Sequence, residues 1–213
     1  MAELTIGGKV AVVTGAGRGI GRQVALAIAA AGGLVAVVAR SEGELLATAD
    51  QIAEAGGNAE PIVCDVADPD SVARLKEQVE RALGPPAVLV NAAGIFGPIT
   101  PIASGGPGWI KPLLVNAYGP YLTAAAFVPA MVEAGWGRVV NVTSAISLHP
   151  PSPLSSGYAT SKVALNQLTR HLAEELEGTG VTANVLHPGD VRTEMWADIR
   201  DQRPAGGGVA GVG

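Results

Sequence analysis

A short apolar run that ends in a glycine-rich turn constrains the fold of this chain more than any other feature. Residues 9–14 are rich in β-branched side chains, which is typical of a strand buried on both faces. The turn Thr14-Gly-Ala-Gly-Arg-Gly-Ile-Gly21 follows directly, and a helix rich in alanine is predicted over about 22–31. Glycine lets a backbone turn sharply and approach a phosphate, and a helix N-terminus offers free N–H groups and a positive dipole end. A strand, this turn and a helix together indicate a dinucleotide-binding unit.

The glycines of the turn follow the spacing T-G-x-x-x-G-x-G, and Gly17 is an additional glycine inside it. A glycine-rich turn alone is often only a tight turn, so the signal depends on its place between a strand and a helix. The residues of the turn that we expect to contact a nucleotide are Gly15, Gly17, Arg18, Gly19, Ile20 and Gly21.

Five more apolar runs follow the first, and segments of helical periodicity separate them. Strands are predicted over 34–39, 59–66, 87–90, 137–143 and 181–186, and helices over 42–55, about 69–83, 109 to about 134, and 158–177. Prolines at 112, 120 and 129 are expected to interrupt the third of these helices. The last helix is expected to pack inward through Val163, Leu168, Leu172 and Leu176. This alternation predicts the α/β class, with a doubly wound parallel sheet, right-handed crossovers and helices on both faces.

Composition excludes several classes of protein. With 213 residues, 48% hydrophobic and 15% charged, the chain is expected to form one domain with a full core rather than a disordered region. The net charge of −5 argues against nucleic-acid or membrane-surface binding, and the single Cys64 excludes an internal disulfide and a cysteine-based metal cluster. The uncharged run over 24–39 is shorter than the ~20 residues that a spanning helix needs. No signal peptide is evident, and we expect a cytoplasmic protein that has no metal site and binds neither membrane nor nucleic acid.

The end of the second predicted strand bears on the choice of nucleotide. An NAD site usually carries a carboxylate there, which bonds to the adenosine ribose hydroxyls. Ala39 takes that position here and Arg40 follows it, and Arg18 in the glycine turn could supply a second positive charge. A guanidinium attracts a 2′-phosphate. If the arginines do not simply lie in solvent, they predict a preference for NADP(H) over NAD(H).

The ends of the third and fourth strands carry further candidate nucleotide contacts. Asp65, followed by Val66, is placed either to meet an adenine amino group or to cap the turn before the next helix. Asn91, Ala92 and Gly94 end the fourth strand with small residues, against which a ligand can lie.

A tyrosine and a lysine in the last helix form a candidate catalytic pair. Tyr158 and Lys162 are four residues apart, so they share one face of a helix. A cation close to a phenol favours the phenolate and lowers its pKa from about 10 towards the working range. Two unrelated surface residues would give the same spacing, so the pair depends on the rest of the chain for its meaning.

Taken together, these features resemble the classical short-chain dehydrogenase/reductase family over about 9–193. The match carries the glycine turn, Asp65, Asn91-Ala-Ala-Gly94, Asn116, Ser144, Tyr158-x-x-x-Lys162 and Pro188-Gly189 in the family's order. The resemblance implies a Rossmann fold with an NAD(P) cofactor, and Arg18 and Arg40 match the basic positions of the NADP-preferring branch. It assigns residues 1–195 to the nucleotide-binding and catalytic domain and 196–213 to a short glycine-rich tail.

The resemblance also implies a role for each site residue. Ser144 donates a hydrogen bond to the substrate carbonyl oxygen and Tyr158 is the acid/base. Lys162 bonds the nicotinamide ribose and lowers the pKa of Tyr158, while Asn116 holds a water that relays protons. Besides Tyr158 and Lys162, the remaining nucleotide contacts are expected at Pro188, Gly189, Val191 and Thr193, with Thr193 at the carboxamide.

Two departures from the family pattern concern the substrate side. Ser144 and Tyr158 are separated by about one residue more than usual, and Pro150, Pro151 and Pro153 lie between them. Members of the family usually continue past the Pro-Gly motif through a substrate-covering segment and a seventh strand. The last nine residues here are too rich in glycine to form such a strand, and a missing cover favours a non-catalytic role.

The resemblance places residues 95–96, 146–149 and 195–196 in the lining of the substrate pocket. They are mostly apolar, so the expected substrate is a small carbonyl or alcohol compound with a hydrophobic body. His149 and His187 are alternative acid–base groups, although a structural or solvent-facing role is favoured for both. A non-catalytic NADP(H) sensor or scaffold is the rival interpretation, and epimerisation or dehydration at the same site is a third one. The family resemblance further implies a homodimer or homotetramer.

Overall fold

The computed structural model describes residues 6–149, 155–189, 191 and 193–195. The predicted tail over 196–213, Trp196 and the three prolines at 150, 151 and 153 lie outside the described residues. No helix in the described ranges has the length and the apolar character needed to cross a membrane.

Six parallel strands form one sheet in the order β3-β2-β1-β4-β5-β6. Their bounds are β1 Val10–Thr14, β2 Leu34–Ala39, β3 Asn58–Val63, β4 Val88–Asn91, β5 Gly137–Val142 and β6 Val181–Leu186. The chain builds the sheet outward from β1 to β3 and then returns to place β4 on the other side of β1. The strand order therefore reverses between β1 and β4, and a crevice opens there at the carboxyl ends of the strands.

The helices cover both faces of the sheet, as predicted. Their bounds are α1 Gly19–Ala30, α2 Glu42–Glu54, α3 Pro69–Ala82, α4 Lys111–Leu113, α5 Gly119–Glu133 and α6 Ser156–Glu175. Helices α1 and α2 pack on one face against Ala11 and Val13, whereas α3 and α5 pack on the other face against Val10 and Val12. The inner strands β2, β1 and β4 are buried on both faces because side chains alternate between these two cores, whereas the edge strands β3 and β6 keep exposed residues.

The long proline-containing helix is less interrupted than predicted. A 3-10 turn at Pro107–Ile110 leads into α4, and a π-helical turn at Leu114–Tyr118 joins α4 to α5 without a break. Pro120 has no N–H, so it cannot close the α-helical bond to the carbonyl of Asn116. The chain meets this loss with a wider turn, and that turn carries Asn116 into the protein interior.

A buried polar network joins β4 and β5 to the helices on one face. Asn91 donates from Nδ2 to Asn141 Oδ1 at 2.9 Å and accepts at Oδ1 from Thr123 Oγ1 at 2.8 Å. Asn141 in turn donates to Thr169 Oγ1 at 2.8 Å. The four side chains are at most 2% exposed, so each bond replaces a contact with water that burial has removed. The network fixes α5 and α6 relative to β4 and β5.

Two local predictions were wrong. The third strand ends at Val63, so Asp65 and Val66 lie in the loop after it. Val163 is 51% exposed and does not pack inward, because the inner stripe of α6 runs through Ser161, Lys162 and Leu165 instead. The polar residues of the site thus occupy the inner face where an aliphatic residue was expected.

Candidate functional site

A cavity of about 330 Å³ lies at the point where the strand order reverses. The predicted nucleotide contacts that line it are Gly15, Gly17, Arg18, Gly19, Ile20, Gly21, Arg40, Asp65, Val66, Ala92, Gly94 and Thr193. The first three residues of α1 are among them, and the N–H groups at a helix start have no partners within the helix. The cavity therefore offers unpaired donors and a positive helix end, which fits the pyrophosphate of a dinucleotide.

Two glycines of the turn are required by close packing. Gly15 has φ of +68°, and a Cβ there would lie 2.7 Å from the Cα of Ala93. A Cβ on Gly21 would collide with the carbonyl oxygen of Gly15. Larger residues at either position would push the turn away from the Ala93 loop or from α1. These glycines therefore keep the turn flat against the strand ends.

Two side chains outside the glycine turn, those of Arg22 and Thr48, hold it in place, and neither was predicted from the sequence. The guanidinium of Arg22 donates to the carbonyl of Gly17 and, at 3.2 Å, to Thr48 Oγ1. Thr48 is fully buried in α2 and donates to the carbonyl of Ala16 at 3.0 Å. Because Arg22 is on α1 and Thr48 on α2, only their packing in the fold reveals the connection.

The adenosine end of the cavity carries charges of both signs. Arg18 and Arg40 are exposed and line the cavity, together with Glu44 of α2. Asp65 accepts at Oδ1 from the N–H of Ala67 at 3.0 Å, so one of its oxygens stabilises its own turn. Asp68, not Asp65, caps α3 by accepting from the N–H of Asp70 at 3.2 Å. Asp65 still lines the cavity, which leaves the adenine contact available to it.

Six of the predicted nucleotide contacts do not line the cavity, and two of them, Tyr158 and Lys162, lie beside it. The side chain of Asn91 is hydrogen-bonded to Asn141 and Thr123 in the buried polar network, so only the backbone of Asn91 is available for a ligand. Pro188 is half-buried, while Gly189 and Val191 are exposed after β6. Their contribution to nucleotide binding stays a prediction.

Ser144, Tyr158 and Lys162 come together beside this cavity. Ser144 follows β5 and forms a hydrogen bond with Tyr158, while the ring of Phe96 packs on Tyr158 with centroids 4.6 Å apart. Burial raises the pKa of Tyr158 above its ordinary value of 10.0, and the bond with Ser144 acts in the lowering direction.

Lys162 is only 5% exposed, and its ammonium is held by the end of β5. Its Nζ donates to the carbonyl of Val142 at 2.8 Å and lies 5.7 Å from the centre of the Tyr158 ring. Desolvation lowers the pKa of Lys162 to about 8. The predicted downward shift of the Tyr158 pKa was wrong for this structure, because loss of water outweighs the effect of the nearby ammonium. Tyr158 keeps its proton at neutral pH, and Lys162 is still mostly charged there.

Asn116 acts as a clamp between three segments. Its amide donates to the carbonyl of Ile95 and to Ser161 Oγ, both at 2.9 Å, and accepts from the N–H of Ile95 at 2.9 Å. Ser161 Oγ donates to the carbonyl of Tyr158 at 2.6 Å. The side chain of Asn116 thus joins the loop after β4 to the helix that carries Tyr158.

A short network behind Ser144 was also missed from the sequence. Ser147 Oγ donates to the carbonyl of Ser144 at 2.6 Å, and Asn166 Nδ2 donates to Ser147 Oγ at 2.9 Å. Asn166 lies four residues after Lys162 on the same helix, so its helical spacing was a signal that could have found it. The network ties the turn that carries Ser144 to α6.

The residues expected at a substrate are divided between two places. Ile95 and Met195 line the nucleotide cavity, and Leu148 is 64% exposed near Ser144. His149 is exposed, whereas His187 Nδ1 is 2.6 Å from Thr143 Oγ1. The bond to Thr143 favours the structural role for His187.

A doubly wound parallel sheet with this cavity at its switch point defines a Rossmann-type dinucleotide-binding domain. The sequence model of the short chain dehydrogenase family matches residues 9–204. A short chain dehydrogenase of Pseudocercospora fijiensis is 42% identical over 192 residues, which cover 89% of this chain and 62% of that protein. A short-chain type dehydrogenase/reductase of Picea abies is 36% identical, with 96% of this chain and 78% of that protein covered.

Solved structures agree with these sequence matches. A metagenomic short-chain oxidoreductase in complex with NADP superposes with a TM-score of 0.82 at 38% identity, covering 88% of this chain and 85% of that one. The chain therefore belongs to the short-chain dehydrogenase family of oxidoreductases. It spans less than two thirds of the length of the Pseudocercospora relative, at 62%.

Proposed function

We propose that this chain is an NADP(H)-dependent oxidoreductase that acts on a carbonyl or alcohol carbon, with Tyr158 as the acid/base. One observation carries the proposal. Gly94 lines the nucleotide cavity, and a Cβ built on it would lie 3.4 Å from Asn116 Oδ1 and 3.7 Å from Lys162 Nζ. The nucleotide cavity and the catalytic group therefore share a wall, as hydride transfer between a bound nucleotide and a substrate requires.

The side chains have distinct tasks in carbonyl reduction. When bound, the nicotinamide supplies the hydride that the carbonyl carbon receives. Ser144 donates a hydrogen bond to the carbonyl oxygen as negative charge develops there. Tyr158 transfers its phenolic proton to that oxygen, and its raised pKa means that it carries this proton at neutral pH. The charge of Lys162 stabilises the tyrosinate that remains until solvent returns a proton, by way of the water assigned to Asn116.

The assignment of Lys162 to the nicotinamide ribose is part of the same proposal. Its Nζ has one described acceptor, the Val142 carbonyl, and an ammonium has three donors. The backbone at Asn91 and the segment containing Pro188, Gly189, Val191 and Thr193 would complete the nicotinamide end of the site.

Arg18 and Arg40 support the proposed preference for NADP(H). Both are exposed, both line the cavity, and a 2′-phosphate would gain a charge-assisted hydrogen bond from either guanidinium. The NADP carried by the metagenomic relative is consistent with this choice. Titration with NADPH and NADH tests it: we expect tighter NADPH binding, and loss of the preference in Arg40→Ala.

The proposed substrate is a small, apolar ketone or aldehyde, or the corresponding alcohol. Phe96 forms an apolar wall against Tyr158, and Ile146 and Leu148 follow Ser144 in the sequence. Hydrophobic contacts of this kind hold a substrate without strict polar recognition.

A homodimer or homotetramer is proposed as the working form. Leu114, Tyr118 and Tyr121 are 38–52% exposed on the π-helical turn and the start of α5, and the two tyrosine rings stack 6.1 Å apart. Exposed apolar side chains in such a group are typical of a contact surface. Sedimentation analysis would overturn this proposal if the protein stayed monomeric at micromolar concentration.

A panel of ketones and aldehydes with NADPH tests the catalytic proposal. We expect turnover of at least one carbonyl compound, and its loss in Tyr158→Phe, which keeps the ring that packs on Phe96. Nucleotide binding without turnover across a broad panel would instead support the non-catalytic sensor. Product formed with no net consumption of NADPH would indicate epimerisation or dehydration.

A further inference from the structure

Glu44 is an acidic residue that lines the nucleotide cavity beside Arg18 and Arg40, and the other acids of the lining are Asp65, after β3, and Glu194. Glu44 lies in the first turn of α2 and is half-buried, in contrast to the exposed Arg18 and Arg40. All three line the nucleotide cavity, together with Ser41. The choice between nucleotides therefore depends on more than the two arginines.

The carboxylate of Glu44 and the side chain of Ala39, the residue at the end of β2 where an NAD site carries an acid, lie on the same side of the glycine turn. A Cβ built on Gly17 would be 2.9 Å from Glu44 Oε2 and 3.5 Å from the Cβ of Ala39. The carboxylate oxygen and the end of β2 thus flank one point above the glycine turn. An acid in place of Ala39 would reach this same region, which is where an NAD site places the group that bonds the ribose hydroxyls.

The position of Glu44 is fixed by the fold rather than by a charged partner. Leu45 beside it is fully buried, and Thr48 Oγ1 lies 3.0 Å from both the carbonyl of Glu44 and the carbonyl of Ala16. One hydroxyl thus ties the backbone of Glu44 to the glycine turn. The ion pairs found among the described residues join Arg74 to Asp68 and Lys76 to Glu80, so neither cavity arginine neutralises Glu44.

We propose that Glu44 supplies the ribose-binding carboxylate that the end of β2 lacks, so that the site accepts both NAD(H) and NADP(H). This inference rests on the proposed function. A carboxylate accepts a hydrogen bond from the 2′-hydroxyl of NAD(H) and repels the 2′-phosphate of NADP(H). Arg18 and Arg40 act in the opposite sense, and Glu44 keeps their preference for the phosphate small.

The test is a binding titration of the purified chain with NADPH and with NADH, followed by tryptophan fluorescence. Glu44→Gln retains an oxygen that accepts a hydrogen bond but removes the charge. We expect it to bind NADPH about fivefold more tightly, because a like charge beside the phosphate is gone. NADH should bind about threefold more weakly, because a charge-assisted hydrogen bond becomes a neutral one.

Glu42→Gln is the matched control, since Glu42 is an exposed acid in the same first turn of α2 and lies outside the cavity lining. It should leave the ratio of the two dissociation constants unchanged. Both variants are also compared with the wild type in thermal unfolding, so that a folding defect is recognised.

The possible outcomes distinguish a failure of the role of Glu44 from a failure of the proposed function. Opposite shifts for NADPH and NADH in Glu44→Gln support the inference. An unchanged ratio, or equal shifts for both nucleotides, overturns the role of Glu44 and leaves the proposed function intact. Wild-type protein that binds neither nucleotide overturns the proposed function and this inference with it.

Discussion

Replacing Asn166 by leucine should slow turnover about tenfold while leaving stability almost unchanged. Asn166 holds Ser147, whose hydroxyl donates to the carbonyl of Ser144 at 2.6 Å. Without Asn166 the Ser147 hydroxyl can rotate, and Ser144 loses its fixed position next to Tyr158. A loss of tenfold corresponds to about 1.4 kcal/mol of transition-state stabilisation, well below the effect of removing the Ser144 donor itself.

The stability of this variant follows from the environment of Asn166. Leucine has a similar shape, and it removes one hydrogen bond, worth about 1 kcal/mol. It also removes the buried Asn166 Oδ1, which has no hydrogen-bond partner in the described part of the chain. These two effects have opposite signs, so we expect the free energy of unfolding to change by less than about 1 kcal/mol.

The assay is steady-state kinetics with a carbonyl compound from the panel, together with an absorbance titration of tyrosinate. Because the Ser144 bond lowers the pKa of Tyr158, a displaced Ser144 should raise that pKa further, as seen by difference against Tyr158→Phe. Gln167→Leu, at an exposed position one residue along, is the control. A turnover number within twofold of the wild type would refute the reasoning, and so would a loss that merely follows unfolding.

Four further predictions concern the charge of Lys162, the nucleotide turn and the polar core. Carbonyl reduction should slow as pH rises through about 8, where Lys162 loses its proton, and a flat rate from pH 7 to 9 would contradict its charged role. Folding stability should show the reverse trend, because the pKa of Lys162 in the folded protein, about 8, lies below its ordinary value of 10.5. The unfolded chain therefore holds more protons between about 8 and 10.5, and the free energy of unfolding rises with pH across that window until Tyr158 begins to ionise in the unfolded chain. Arg22→Ala should weaken NADPH and NADH binding alike, by about tenfold, because Arg22 holds the carbonyl of Gly17 rather than the ribose. Unequal losses in paired titrations would argue against that role. Asn141→Leu should lower the free energy of unfolding by about 2–4 kcal/mol in denaturant melts, because it leaves Asn91 Nδ2 without its buried acceptor, and a change below about 1 kcal/mol would show that the network relaxes at little cost.

The sheet and the nucleotide turn could be predicted because their signals are local. A β-branched run such as 34–39 must be buried on both faces, and it forms β2 over the predicted residues. Gly21 is required by a contact with Gly15 inside the same strand–turn–helix unit. The family resemblance was confirmed, since its motifs lie in one order along the chain.

Features that depend on packing between distant segments were not predictable. The outward position of Val163 follows from how α6 meets the sheet. The contact of Thr48 with the glycine turn joins residues 32 apart in sequence. The pKa of Tyr158 was predicted in the wrong direction because spacing reveals a nearby cation but not the loss of water.

Transfer of deuterium from the nucleotide to the substrate tests the central claim most directly. The chain would be incubated with a carbonyl compound from the panel and NADPH deuterated at C4, each face of the ring in turn. Mass spectrometry of the alcohol should show one deuterium on the carbinol carbon for one labelled face, and no product with Tyr158→Phe. Tight NADPH binding with no labelled alcohol from any carbonyl compound tested would contradict the account.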